Sequence, residues 1–222
     1  MTKNYISNSK KSVRMFKSNF LELLSKVHFS VPLFIFIPVI IYFTYKAIWI
    51  EKIHLIPFLI YYLLGLFIWS LTEYVMHRFI FHLEPIPGVK WMERVHFIFH
   101  GVHHDYPSDA QRLVLPPSVS IPLSTGFYFL FSLFLDTAEL AVFFSAFITG
   151  YLCYDMMHYA LHHANFKNKY WKKLKDHHMM HHYADAHKGY GVSSVFWDKI
   201  FLSDFIKKER NISVDKKQLA DQ

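Results

Sequence analysis

Ten histidines of this chain stand in four short blocks: His77-x4-His82, His100-x2-His103-His104, His158-x3-His162 with His163 adjacent, and His178-x2-His181-His182. Imidazole is the commonest metal-binding side chain, and it ligates as the neutral ring. Ten such ligands exceed what one ion can take and suit two. Clustered ligands at these spacings mark a site rather than a histidine-rich surface. The remaining His28, His54, His96, His163, His177 and His187 read as ordinary residues.

A helix advances 100° per residue, so residues four apart share a face and adjacent residues diverge. His100 and His104 therefore share a face, and His103 points away from His104. His178 and His182 share a face, and His181 diverges from them. His158 and His162 also share one. The simplest assignment gives one ion to His77, His82, His100, His104 and His181, and a second to His103, His158, His162, His178 and His182. Both x2-His-His blocks then contribute to both ions. His77 and His82 are five apart, which a regular α-helix does not bring together, so the pair calls for a π-bulge or a loosened turn. The expected separation is roughly 4–6 Å, wider than bridged two-metal hydrolase sites, because imidazoles supply no bridging carboxylate.

Imidazole suits iron, zinc, copper and nickel alike. A structural zinc takes four ligands, often thiolates among them. Ten neutral ligands on two ions instead suit redox chemistry with open coordination positions. Two Fe ions are the expectation, with O2 as co-substrate, and zinc can replace iron in purified protein. Cys153 is the single cysteine, which excludes an internal disulfide and a thiolate-based site. It lies in an apolar run and reads as a small core residue.

The elements that position these histidines are apolar. The chain of 222 residues is 53% hydrophobic and 19% aromatic, with a mean hydropathy of +0.16. That composition fits a polytopic membrane protein. Four apolar runs, about 29–50, 53–75, 119–135 and 140–157, approach the ~20 residues a membrane-crossing helix needs. Pro117 and Pro122 make the start of the third uncertain. Four spans place both termini on one side. The net charge is +7, and every Lys and Arg except Lys46 and Lys52 falls on that same side. The positive-inside rule makes it the cytoplasm, and it accounts for the basic balance without nucleic acid. All four histidine blocks then lie at the cytoplasmic face. The basic start of the chain has no apolar core close behind its charges, so no cleavable leader is expected.

The blocks HRFIFH (77–82), HGVHH (100–104), HYALHH (158–163) and HHMMHH (177–182) resemble the fatty acid hydroxylase/sterol desaturase superfamily. Within it, EYVMHRFIFH, FHGVHHDYPSDAQRLVLPP and GYGVSSVFWD look most like the fatty acid 2-hydroxylases. The resemblance covers about residues 70–200. It implies an all-α integral membrane fold, with a cytoplasmic helical cap over a di-iron centre, and O2-dependent hydroxylation of an acyl chain next to its carbonyl. The substrates it implies are acyl chains in, or destined for, sphingolipids. Relatives often carry a fused cytochrome b5 domain. This chain has none, so a separate donor, cytochrome b5-like or ferredoxin-like, is expected. The organisation read on this basis is a basic segment over 1–26, mobile at its start, a membrane di-metal hydroxylase domain over 27–210, and a polar tail over 211–222.

Three carboxylates accompany the ligands. Glu73 lies four residues before His77 and Asp155 three before His158, each near the end of an apolar run. A carboxylate there can receive the second N–H of an imidazole and fix its tautomer. The plainer reading is a helix-end charge at the headgroups, but charges within spans are costly and usually functional. Asp198, beside Trp197, suits either the same work or an interfacial anchor. The stretches 192–208 and 85–99 mix aromatic and aliphatic residues with charges and read as segments resting on the leaflet. No Ser/His/Asp or Cys/His arrangement points to a nucleophile.

Two rival readings stand. A sterol or carotenoid hydroxylase or desaturase keeps the chemistry and changes the substrate. A membrane metal transporter or sensor should hold its ligands near the bilayer midplane in discontinuous spans. These blocks lie at or beyond the span ends.

Overall fold

The structure, a computed structural model, describes residues 6–7 and 9–205. The expected tail at 211–222 lies outside the described residues. Among these residues the regular structure is entirely helical. Helix α1 covers Asn19–Leu24, α2 Val31–Tyr45, α3 Leu55–Val75, α4 Lys90–His96, α5 Val102–Asp105, α6 Pro117–Ser132, α7 Thr137–His163, α8 Lys169–Tyr183 and α9 Phe196–Ile200. Wider π-helical turns extend α2 over Lys46–Ile50 and α3 over Met76–Phe81, and another, Phe97–Gly101, joins α4 to α5.

Three helices are long and apolar enough to cross a membrane: Val31–Ile50, Leu55–Phe81 and Thr137–His163. The expected fourth run forms α6, but its 16 residues rise only about 24 Å at 1.5 Å each, against about 30 Å of hydrocarbon. Pro117 opens α6 at its first turn, where the missing N–H is harmless.

Helix α7 is the hub. Some 78% of its apolar window is buried inside the protein, against 11% for α2 and 6% for α3, so the latter two meet the surroundings while α7 does not. Phe143, Phe144, Phe147 and Tyr151 of α7 form the core with Phe36 of α2, and Trp69 of α3 packs edge-on to Phe147. Small residues allow this closeness. A Cβ on Gly65 of α3 would strike the Phe143 carbonyl, and one on Gly150 of α7 would lie 2.5 Å from the Trp69 ring. Apolar spans pack by such close backbone approach rather than by hydrophobic exclusion. Cys153 is exposed on the outer face of α7, not a core residue as its apolar neighbours suggested.

The remaining helices and loops close the end of the bundle where α3 and α7 finish. Trp91 and Val95 of α4, and Phe196 and Ile200 of α9, are exposed there, as expected of segments lying on a leaflet. Residues 13–27, in the later part of the basic segment, are docked on the domain. Their backbone is tied to the 109–118 segment through Val27 N–H donating to Gln111 O and Ser118 Oγ donating to Leu24 O.

Candidate metal centre

The π-helical turn that extends α3 delivers His77 near its start and His82 just past its end. The His82 amide donates to the His77 carbonyl at 3.1 Å, a five-residue step that puts both rings on one side. Of the two devices the spacing allowed, the chain uses the π turn. The turn 97–101 and α5 bring His100, His103 and His104, α7 brings His158 and His162, and α8 brings His178, His181 and His182.

The ten rings converge as two groups. One contains His77, His82, His100, His104 and His181, the other His103, His158, His162, His178 and His182, and within each the inward nitrogens all lie within 4.8 Å of one another. These are the two sets that the helical-face argument assigned. The sets abut, with the His104 and His182 rings stacked at 4.3 Å.

The spacing of the nitrogens tests whether an ion fits. In the first set, Nε2 of His100 lies 3.2 Å from that of His77 and 3.0 Å from that of His104, and His82 and His181 are 3.0 Å apart. In the second, His103–His158, His162–His178 and His178–His182 are separated by 3.0, 2.9 and 3.2 Å. With metal–nitrogen bonds of about 2.1 Å, neighbouring ligands stand about 3.0 Å apart at right angles and about 3.4 Å apart at the tetrahedral angle. The donor sets fit ions with five or six coordination positions better than tetrahedral ones.

Charge agrees. Burial, reinforced by neighbouring imidazoles, holds His82, His100, His103, His104, His178 and His182 well below the ordinary histidine pKa. His181 is lowered to about 4, burial outweighing its bond to Lys188. These rings are neutral near pH 7, the form that ligates.

The layer behind the rings differs between the sets. His77 Nδ1 donates to the Tyr190 carbonyl at 2.5 Å and His181 Nδ1 to the Lys188 carbonyl at 2.7 Å. A carbonyl only accepts, so both rings carry the proton on Nδ1 and turn a bare Nε2 inward. Nδ1 of His103, His178 and His182 has no hydrogen-bond partner among the described residues, and His158 faces the Leu113 backbone.

The Gly189 amide donates to the Ser203 carbonyl at 2.8 Å, and the loop that carries the Lys188 and Tyr190 carbonyls is held further by Asp198. Its carboxylate accepts from the Tyr190 and Gly191 amides at 2.9 and 2.8 Å, from Ser203 Oγ at 2.8 Å and from His177 Nε2 at 3.2 Å. Burial works to raise the Asp198 pKa, but the donors His177, Ser203 and Gly191 outweigh it and hold the group below the usual carboxylate range. Asp198 thus acts one layer behind the imidazoles, through backbone. Gly189 adopts φ +70°, and a Cβ on Gly191 would strike the Ser194 carbonyl and lie 2.8 Å from Asp198 Oδ2. The Gly-Tyr-Gly sequence is what lets the loop pass so close.

The other two carboxylates do not receive imidazole protons as expected. Glu73 Oε1 accepts from the Val192 and Ser193 amides at 3.0 and 2.8 Å, pinning the same loop to α3. Asp155 is fully buried, makes no hydrogen bond of ordinary geometry, and lines a cavity beside the rings. His177, read as an ordinary residue, proves to be a buried partner of Asp198. Its one signal was adjacency to a ligand block. The Lys188 and Tyr190 carbonyls had no signal, since every residue carries one. His163 stacks on Tyr159, away from both sets.

The cavity, ≈ 210 Å³ in volume, has mainly apolar walls, including Phe16, Leu24, Phe81, Leu115 and Val119, with Ser25, Arg112, Ser118 and Asp155 among its polar lining. At its inner end it meets His100 of the first set and His103 and His158 of the second.

A helical protein with three helices fit to cross a membrane, closed at one end by two sets of five imidazoles beside an apolar cavity, is a narrow class. The chain belongs to the fatty acid hydroxylase family, whose model it matches over residues 62–203. It is 42% identical over 185 residues to the ceramide very long chain fatty acid hydroxylase of Schizosaccharomyces pombe, covering 82% of this chain and 52% of that one. It is 35% identical over 193 residues to a dihydroceramide fatty acyl 2-hydroxylase of Arabidopsis thaliana, covering 85% of this chain and 78% of the relative. A solved structure described as full-length scs7p with only its hydroxylase domain visible superposes with a TM-score of 0.80 at 35% identity, over 85% of this chain and 70% of that one. The chain spans about half the length of the Schizosaccharomyces pombe relative.

Proposed function

We propose that this chain catalyses O2-dependent 2-hydroxylation of fatty acyl chains, free, as thioesters or in sphingolipids. The observation that carries the reading is the apolar cavity that reaches imidazoles of both sets at once. A methylene offers no hydrogen bond by which to orient it, so a chain must be aimed by the walls around it. The names of the two relatives, both fatty acyl hydroxylases of ceramide-type lipids, agree with this substrate class.

His77, His82, His100, His104 and His181 would hold one iron ion, and His103, His158, His162, His178 and His182 the other, with zinc able to replace iron in purified protein. Such a pair supplies the redox chemistry that activates O2. The balance is one C–H bond, one O2, two electrons and two protons giving one C–OH and one water. The electrons would come from a cytochrome b5-like or ferredoxin-like donor. The residues of this chain do the remaining work. Lys188 and Tyr190 hold the Nδ1 protons of His181 and His77. Phe81, Leu115 and Val119 exclude water beside the acyl chain.

In the membrane we infer four spans, α2, α3, α6 and α7, with both termini and the histidines at the cytoplasmic face. The apolar run supports this by continuing past the end of α6 through a turn at Leu133 and Phe134, both exposed. Reporter fusions at residue 52 and at residue 100 should read opposite sides, and a cytoplasmic signal at residue 52 would reverse the orientation.

The deciding experiment compares lipids, by mass spectrometry, from cells with and without the chain. The expected change is one added oxygen on acyl chains at the carbon next to the carbonyl. Oxygen gained on a ring lipid instead would favour a sterol or carotenoid substrate, and metal flux without lipid product would favour transport.

A further inference from the structure

Residues 13–25 lie across the apolar cavity, and Phe16, Leu21 and Leu24 form part of its wall. They are held by a buried ionic cluster. Glu22 Oε2 accepts from the Met15 and Phe16 amides at 2.9 and 3.0 Å, while Oε1 pairs with Arg112 at 2.7 Å and with Lys26 at 3.0 Å. Arg112 in turn donates to Ser25 Oγ at 3.0 Å and to the Val13 carbonyl at 2.5 Å, and its Nε lies 3.5 Å from Asp109. Burying such charges is costly unless they are paired, so the cluster specifies one docked position for the segment.

The outer side of α1 has a different character. Phe20 and Leu23 are 67% and 73% exposed, on a six-residue helix that ends shortly before the first candidate span. An apolar surface at that level faces the leaflet. Leu21 and Leu24 of α1 and Phe99 of the 97–101 turn both line the cavity and remain exposed, which makes them its rim.

We propose that the acyl chain passes from the leaflet into the cavity between α1 and the 97–101 turn, across Leu21, Leu24 and Phe99, and that the Glu22–Arg112 pair fixes α1 as the wall of this portal. This rests on the reading of the cavity as the acyl site. The rim side chains then set the width of chain admitted. Straight chains pass between branched leucines, and bulkier or kinked chains need a smaller residue at the rim.

The test uses the full chain in phosphatidylcholine vesicles with two photoreactive probes, a free C18 acid and an N-acyl sphingoid base, each carrying a diazirine in mid-chain. Crosslinked residues are mapped by peptide mass spectrometry with and without excess unlabelled lipid. Competed label is expected at Leu24, Phe16 and Val119, and uncompeted label at Phe20 and Leu23. Leu24→Trp should lower the competed label at Val119 at least fivefold with metal content unchanged, and Leu24→Ala should raise labelling by a branched-chain probe. Competed label at Val119 that persists in Leu24→Trp and in Leu21→Trp, or no competed label over 15–25 while acyl hydroxylation proceeds, overturns the portal. Label as expected with no hydroxylated product leaves the portal standing and removes the hydroxylase reading. Absence of all competed label overturns the portal outright.

Discussion

Replacing Asp198 with alanine should empty one metal set before the other. The carboxylate accepts from four donors, and two of them, the Tyr190 and Gly191 amides, belong to the loop that presents the Lys188 and Tyr190 carbonyls. Each buried donor left without an acceptor costs roughly 1–3 kcal/mol, so the loop has strong reason to leave its docked position. His77 and His181 would then lose the carbonyls that fix their tautomer and ring angle. Loss of such a partner lowers metal affinity about 10–100-fold, equivalent to roughly 1.4–2.8 kcal/mol. Both rings belong to the first set. In the second set, Nδ1 of His103, His178 and His182 has no partner among the described residues, and Asp198 reaches that set only through His177, next to His178. The assay is metal content per chain after dialysis against graded chelator, by plasma mass spectrometry. Wild type should hold two ions over a chelator range in which Asp198→Ala holds about one. His177→Phe, which removes a single donor, should shift the curve less. Parallel loss of both ions, or a curve matching wild type, would refute the proposal that the 188–191 loop secures the first set.

Three further outcomes follow from the same geometry. His104→Ala and His162→Ala should each lower metal content and abolish hydroxylation, whereas His163→Ala, stacked on Tyr159, should keep both; equal damage from 162 and 163 would discard the face assignment. Gly191→Ala should lower thermal stability and metal content together, because its Cβ meets the Ser194 carbonyl and Asp198; an unchanged melting temperature would show that the loop can shift at no cost. Burial acts to raise the Glu22 pKa, but the Phe16 amide, Lys26, the Met15 amide and Arg112 outweigh it and set it at about 2, against 4.5. A depressed carboxylate stabilises fully above its unfolded value and loses that contribution as pH falls through the folded one. Docking of residues 13–27 should therefore hold above pH 4.5 and weaken as pH falls toward 2. Limited acid proteolysis should cut wild type in this segment only in that window, and Glu22→Gln should be cut at neutral pH. No difference between them would sink the latch.

The same-face pairs within each converging group of imidazoles were legible in the chain because helix periodicity sorts them. His100/His104, His158/His162 and His178/His182 repeat at four residues, and the adjacent His103 and His181 must diverge. The apolar runs announced α2, α3 and α7 for the same reason, since length and composition suffice to define them. Local pattern could not choose between a π turn and a loosened turn for His77 and His82, because the choice depends on where the other rings stand. Nor could it give Glu73 its partners, the Val192 and Ser193 amides, which lie about 120 residues away. Charge and polarity marked residues 1–26 only as a basic segment. Only the folded chain puts Glu22 against Arg112, where burial turns two surface-type residues into a fixed pair across the cavity. Sequence determined which side chains share a helical face. Tertiary structure decided which backbone carbonyls stand behind them and which wall stands in front, because those contacts join segments that only folding brings together.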